Sequence, residues 1–270
     1  MGVTEAPGAR IAYDVEGPVG APAVALIHAG VANRTMWDPQ WADLASDHRV
    51  VRHDTRGFGE TVGDATPFSD VDDLLAVLDA AGVERATLVG CSRGGRIALD
   101  AALAHPDRVA GIATIGSSPS GWSPGALTPR EQELDEAIDA ADAAGNRDAL
   151  IPLELQFWIA GPQRELADLD PAFVARAAWL LRAGEQTDFA GEAIPAARPA
   201  ADRLGEIAVP ALIAVGDRDL SVLIAEAARM AASIPGAEQL VLSDTAHLPS
   251  VERADLVTTA LGSWLAAHAL

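Results

Sequence analysis

The sequence predicts an α/β fold: a mostly parallel sheet of about eight strands, flanked by helices, with a helical segment inserted between strands. Three observations predict it. Short apolar runs lack polar alternation, as strands covered on both faces do. Stretches with one apolar helical face separate these runs. The rhythm breaks once, from about Ser117 to Leu204, where no strand is legible, and then resumes.

Taken in order, residues 10–16 alternate apolar and polar and read as a half-buried strand. Residues 23–28 form an apolar strand that stops at Ala29-Gly30, and a helix is expected over 37–46. Residues 50–53 form the next strand, ending at Asp54-Thr55-Arg56-Gly57. The helix expected over 70–81 places Val71, Leu74, Leu75 and Leu78 on one face and stops at Gly82. Residues 86–90 form a strand that meets Cys91-Ser92-Arg93-Gly94-Gly95. A helix over 93–104, closed by His105-Pro106, leads to a strand over 109–115. Helical stretches then run through 130–144, 148–159 and 171–182. The strands resume at 211–215 and 239–242, with helices over 222–233 and 252–265. The organisation expected is a core made of residues 1–117 and 205–270, with 118–204 as a helical cap. That segment holds Trp122, Trp158, Trp179, Phe157, Phe173 and Phe189.

Composition excludes several chemistries. The chain has 270 residues and a formal charge of −20, and all 19 basic residues are arginine. With no lysine there is no phosphate-loop lysine, no pyridoxal-phosphate Schiff base and no lysine general base. The acidic balance argues against nucleic acid and anionic membrane surfaces as partners. A single cysteine, Cys91, excludes an intrachain disulfide. The six histidines (28, 48, 53, 105, 247, 268) show no metal-ligand spacing, so neither a metal nor a cofactor is expected. Residues 1–20 lack a basic start and an apolar core, and no apolar run is long enough to span a bilayer. A cytoplasmic protein acting on a small molecule, as monomer or homodimer, is the expectation.

The chemistry concentrates at Gly90-Cys91-Ser92-Arg93-Gly94, a Gly-x-Ser-x-Gly pentapeptide between an apolar strand and a helix. Such a corner strains the serine and presents its hydroxyl above the sheet edge, while flanking glycines relieve the crowding. A serine hydroxyl needs a base, and the base needs an orienting carboxylate. Asp217 or Asp219 follows the strand at 211–215, and His247 follows the strand at 239–242. Ligand sites of open α/β sheets lie at these carboxyl ends. Two backbone N–H groups would complete an oxyanion hole: that of Arg93, and that of Gly30 with Val31 as second choice. His28 is read as a brace for that loop.

The chain resembles serine hydrolases of the α/β-hydrolase fold over essentially its whole length. The blocks carrying the resemblance are His28-Ala29-Gly30 with Met36-Trp37-Asp38-Pro39-Gln40, Asp54-Thr55-Arg56-Gly57-Phe58-Gly59, the stretch 90–95, and Gly216 to Asp219 with His247-Leu248-Pro249. The Met36-Trp37-Asp38-Pro39-Gln40 stretch and the Arg52-x-Asp54-Thr55-Arg56-Gly57 stretch are closest in pattern to the 3-oxoadipate enol-lactonase group. The resemblance selects Asp219, the last residue of its Gly-x-x-Asp turn, over Asp217. It departs at Ala29, where the family has glycine, and at Arg93, where Met or Gln is common.

The expected activity is cleavage of a carboxylic ester or lactone of a small, largely apolar substrate through Ser92, His247 and Asp219 with an acyl-enzyme. The alternatives are carbon–carbon bond hydrolysis, cofactor-free perhydrolysis or a biosynthetic cyclase on the same residues; a non-enzymatic binder has no need of an activated serine. Val31, Trp122, Phe157, Trp158, Trp179 and Leu248 are the expected substrate wall. The Arg93 side chain is expected either to hold a substrate carboxylate or to pair with a cap acid such as Glu154 or Asp188. Phe58 is expected to border the cavity, and His48, His53, His105 and His268 to be surface or strand-end residues.

Overall fold

The structure is a computed structural model describing residues 1–184, 186 and 189–270. In chain order the strands are β1 (Gly2–Ala6), β2 (Ala9–Glu16), β3 (Ala23–Ile27), β4 (Arg49–His53), β5 (Val62–Gly63), β6 (Ala86–Cys91), β7 (Val109–Ile115), β8 (Ala211–Gly216) and β9 (Glu238–Leu242). The helices are α1 (Asp38–Ala45), α2 (Asp70–Ala80), α3 (Arg93–Ala104), α4 (Pro129–Ala143), α5 (Arg147–Glu154), α6 (Pro171–Gly184), α7 (Ser221–Ser233), α8 (Pro249–Glu252) and α9 (Ala254–Ala267). The sheet runs β1-β2-β4-β3-β6-β7-β8-β9, with β5 paired to β2. Pairing is parallel from β4 through β9 and antiparallel only where β2 meets β1, β4 and β5.

The central strands are buried on both faces, which is why their sequences do not alternate. In β6, Leu88 faces a core shared with Leu74 of α2, Leu99 of α3 and Met230 of α7. Its neighbour Val89 faces the opposite core, with Trp37, Leu44 of α1, and Leu261 and Trp264 of α9. No described helix is long and apolar enough to cross a membrane.

Four elements differ from the sequence reading, the short strand β5 among them. The hairpin strand β1 was not expected, because its side chains are only half-buried at the sheet edge; the Pro7-Gly8 turn, with Gly8 at φ +74°, is its one local signal. The helix expected over 148–159 ends at Glu154 and widens into a π-helical turn, Leu155–Ala160. The closing helix is broken at Arg253 (φ −130°, ψ 64°) into α8 and α9. Between β7 and β8 the described residues contain helices, turns and one isolated bridge, Ala193 to Phe68.

Two histidines titrate against the fold. His53 ends β4, as the strand-end alternative had it, and is 1% exposed. Burial pushes its pKa down to about 4, and burial likewise lowers that of His28. The unfolded chain therefore binds more protons than the native one between about pH 6.5 and pH 4. Stability is full above that window and falls as pH drops through it, by on the order of 3 kcal/mol from His53 alone. Urea midpoints measured from about pH 7.5 to about pH 4.5 should fall steadily, and His53→Gln should flatten the slope.

Candidate active site

Ser92 stands between β6 and α3 at φ 51° and ψ −115°, a conformation that costs a non-glycine residue about 1–3 kcal/mol. Close backbone approach holds it there. A Cβ on Gly90 would lie 2.2 Å from the carbonyl of Gly94, and one on Gly94 would lie 2.2 Å from the Ile27 carbonyl oxygen at the end of β3. The Ser92 N–H donates to Ile115 O at 2.8 Å, tying the corner to the end of β7. Ser92 itself is half-buried.

Asp219 and His247 meet at the ends of β8 and β9. The two Asp219 oxygens lie 3.1 and 3.0 Å from His247 Nδ1, and each residue is 1% exposed. Asp219 Oδ1 also accepts the Leu220 N–H at 2.8 Å, which fixes the carboxylate plane. This geometry makes Nδ1 the protonated nitrogen and leaves Nε2 as an acceptor. Asp217 instead accepts the Asp244 N–H at 2.7 Å and serves the turn. Cys91, adjacent to Ser92, donates its thiol to His247 O at 3.4 Å; burial carries its pKa far above the ordinary thiol value, so it stays protonated. Among the described residues no hydrogen bond joins the Ser92 hydroxyl to His247.

One residue of this arrangement went unread in the sequence. Gly116, directly after β7, has φ +56°, and a Cβ there would lie 2.8 Å from Asp219 Oδ2 and 3.2 Å from His247 Nδ1. The available signal was a glycine closing an apolar strand. Gly116→Ala should displace the Asp219–His247 pair in addition to its backbone strain of about 1–2 kcal/mol. The expected result is a loss in kcat/KM of about 10- to 100-fold, with a modest fall in Tm measured on the same protein.

The loop after β3 lies against the elbow: a Cβ on Gly30 would meet Arg93 Cβ at 4.0 Å. His28 braces it. Its Nδ1 donates to Ala29 O at 2.7 Å and its Nε2 accepts the Thr55 N–H at 3.0 Å. Burial keeps the ring neutral, as that bonding requires. Ala29 replaces the family's glycine without strain, since the described non-glycine residues at positive φ are Ser92, Asp244 and Ala269.

Among the described residues the Arg93 side chain pairs with a core carboxylate, not with a cap acid. Its Nη2 donates to Asp70 Oδ1 at 2.8 Å, and its guanidinium lies 5.3 Å from the Phe58 ring. Asp70 opens α2, so the partner comes from the helix that the chain reaches one crossover earlier. Asp188 lies outside the described residues. Phe58 is buried, edge-on to His28 at 5.1 Å, as part of the turn rather than as an open wall. Arg56 of the same turn forms a buried two-point bond to Asp73 at 2.7 and 2.8 Å.

The expected substrate wall divides. Trp158, in the π-helical turn, places its ring 4.5 Å from that of His247, and its carbonyl accepts the His247 N–H at 3.1 Å. Phe157 packs edge-on to Trp158 and is buried with Leu134, Leu220 and Leu223, while Trp122 rests half-buried on that cluster. Val31 is half-buried, and Leu248 is fully buried in the core beneath His247. Trp179 departs from the expectation. It is 46% exposed, lies off the stripe of Phe173, Ala177, Leu180 and Leu181 that α6 buries, and packs under the Arg176 guanidinium at 4.6 Å. Among the described residues no cluster of His, Cys, Asp or Glu could hold a metal ion.

Comparison with known proteins places the chain in a family. Residues 22–254 match the family model of the alpha/beta hydrolase fold. The chain is 26% identical over 262 residues to 3-oxoadipate enol-lactonase 1 of Acinetobacter baylyi, covering 93% of this chain and 91% of that one. It is 29% identical over 251 residues to the pimeloyl-[acyl-carrier protein] methyl ester esterase of Aliivibrio salmonicida, covering 89% and 90%. The crystal structure of the enol-lactonase from Burkholderia xenovorans superposes with a TM-score of 0.79 at 25% identity, covering 98% of this chain and all of that one. With its doubly covered parallel sheet and a strained serine between β6 and α3, the chain belongs to the alpha/beta hydrolase fold family of enzymes.

Proposed function

We propose that this chain is a serine hydrolase that cleaves a carboxylic ester or lactone of a small, largely apolar substrate. The observation that carries the reading is the placement of the Asp219–His247 pair, at 3.0 Å, after β8 and β9, on the same side of the sheet as the positive-φ Ser92 that follows β6, with Cys91 and Gly116 packed against His247. The family's named esterases and lactonases support the reaction class.

In this reading Ser92 Oγ attacks the substrate carbonyl while His247 Nε2 takes the hydroxyl proton. Asp219 holds the imidazole in the Nδ1–H form and stabilises the cation that results. The N–H groups of Arg93 and Gly30 receive the oxyanion. The tetrahedral adduct collapses, the carbonyl–oxygen bond to the leaving group breaks, and His247 returns the proton to the departing alkoxide. Water, deprotonated by His247, then releases the acid from Ser92. The oxygen that leaves the ring of a lactone stays attached to the acyl chain, so both substrate types follow the same steps. Residues 1–117 and 205–270 supply the machinery, and residues 118–204 act as the cap, with Trp158, Phe157 and Trp122 over the site.

The test is covalent. A fluorophosphonate should add one phosphonyl group to the peptide containing Ser92, and a short aryl ester should show a burst of phenol matching the enzyme concentration where deacylation is slower than acylation. Labelling elsewhere, or none in a folded protein, would reject the reading.

A further inference from the structure

We propose that the site accepts an uncharged acyl group and rejects one bearing a carboxylate, because Asp70 already holds the Arg93 guanidinium beside the nucleophile. The inference rests on the reading of Ser92 as the nucleophile and adds the charge class of its substrate.

Arg93 directly follows Ser92 and is the one cationic side chain carried by the elbow. The pair it forms with Asp70 is 2.8 Å long and largely shielded, with side chains 21% and 17% exposed. Asp70 sits in the first turn of α2, whose N-terminus is capped by the Ser69 side chain accepting the Asp72 N–H. The helix dipole favours an ionised carboxylate there. The Phe58 face closes a further side of the guanidinium.

The surrounding loops repeat the pattern. Arg56 is bonded to Asp73, Arg164 to Glu252, and Arg218 lies between Asp217 and Asp244. Arg34 is held by Asp14, Asp54 and Glu60. An anionic acyl chain would therefore meet Asp70 and a paired arginine, with the Asp219 carboxylate behind the imidazole. Like-charge contacts of this kind lower productive binding by orders of magnitude. The prediction separates this chain from any enzyme acting on an oxoadipate lactone, since such a lactone keeps one free carboxylate.

The experiment compares two 4-nitrophenyl esters of equal length, the pentanoate and the hydrogen glutarate, which differ by a terminal methyl against a carboxylate. Wild-type kcat/KM should favour the pentanoate by about 100-fold or more. Asp70→Asn, or Asp70→Ser if the first variant does not fold, should cut that ratio about 10-fold by freeing Arg93 for the glutarate. The ratio should persist in about 0.5 M salt, which screens the net charge of the whole protein but not a shielded contact. Ester rates within about 3-fold of each other in the wild type would overturn the proposal. So would a ratio that collapses in salt, or one that both Asp70 variants leave unchanged. Failure of both esters together with failure of Ser92 labelling would instead reject the underlying hydrolase reading, and this inference with it.

Discussion

Ser92→Ala is expected to lower kcat on an aryl ester by about 10⁴-fold or more and to abolish fluorophosphonate labelling, with Tm nearly unchanged. The size follows from the reaction: without Oγ no acyl-enzyme forms, and only oxyanion stabilisation and binding remain to act on water. The small structural cost follows from the geometry. The Ser92 bonds that build the corner are made by its backbone: its N–H donates to Ile115 O, and its carbonyl accepts the Gly95 and Arg96 N–H groups. Alanine keeps all three and shares the positive-φ strain, so the fold loses little. Turnover and labelling retained in a folded Ser92→Ala protein would end the serine mechanism.

Asp219→Asn should lower kcat by about 10⁴-fold, again with the fold intact. Both Asp219 oxygens face Nδ1 of His247 at 3.1 and 3.0 Å, while Oδ1 also receives the Leu220 N–H. Asparagine can keep the Leu220 bond through its carbonyl oxygen, which turns its NH2 toward the ring. Nδ1 then becomes an acceptor, the proton moves to Nε2, and the nitrogen meant to take the serine proton no longer can. Asp217→Asn provides the control. It touches the Asp244 N–H in a surface turn, so its kcat/KM should stay within about 2-fold of wild type. Equal losses in the two variants would mean that the turn, and not the imidazole contact, is what the carboxylate supports. Circular dichroism and Tm on both proteins check that comparison.

Much of the architecture was legible because it is local. The unbroken apolar runs of β3, β6, β7 and β8 report burial on two faces, and the helices between them carry their own stripes and stops. The glycines around Ser92 likewise mark a corner where backbone meets backbone. The edge strand β1 escaped because a half-exposed strand has no apolar pattern to display. Trp158 and Trp179 look alike in sequence, yet one stacks on His247 and the other lies on the surface under Arg176. Helix phase and the π-helical widening at Leu155–Ala160 separate them, and neither follows from composition.

The sequence by itself thus determined the order of the strands and helices and the residue types gathered at the strand ends, since burial period, turn chemistry and missing lysine are properties of neighbouring residues. Only the tertiary structure decided which of those residues face one another. The Arg93 partner lies 23 positions away on α2, and Gly116 matters through the space that Asp219 and His247 take beside it. Pairings of that kind depend on how separate elements pack in three dimensions, and no local pattern encodes a distance across the sheet.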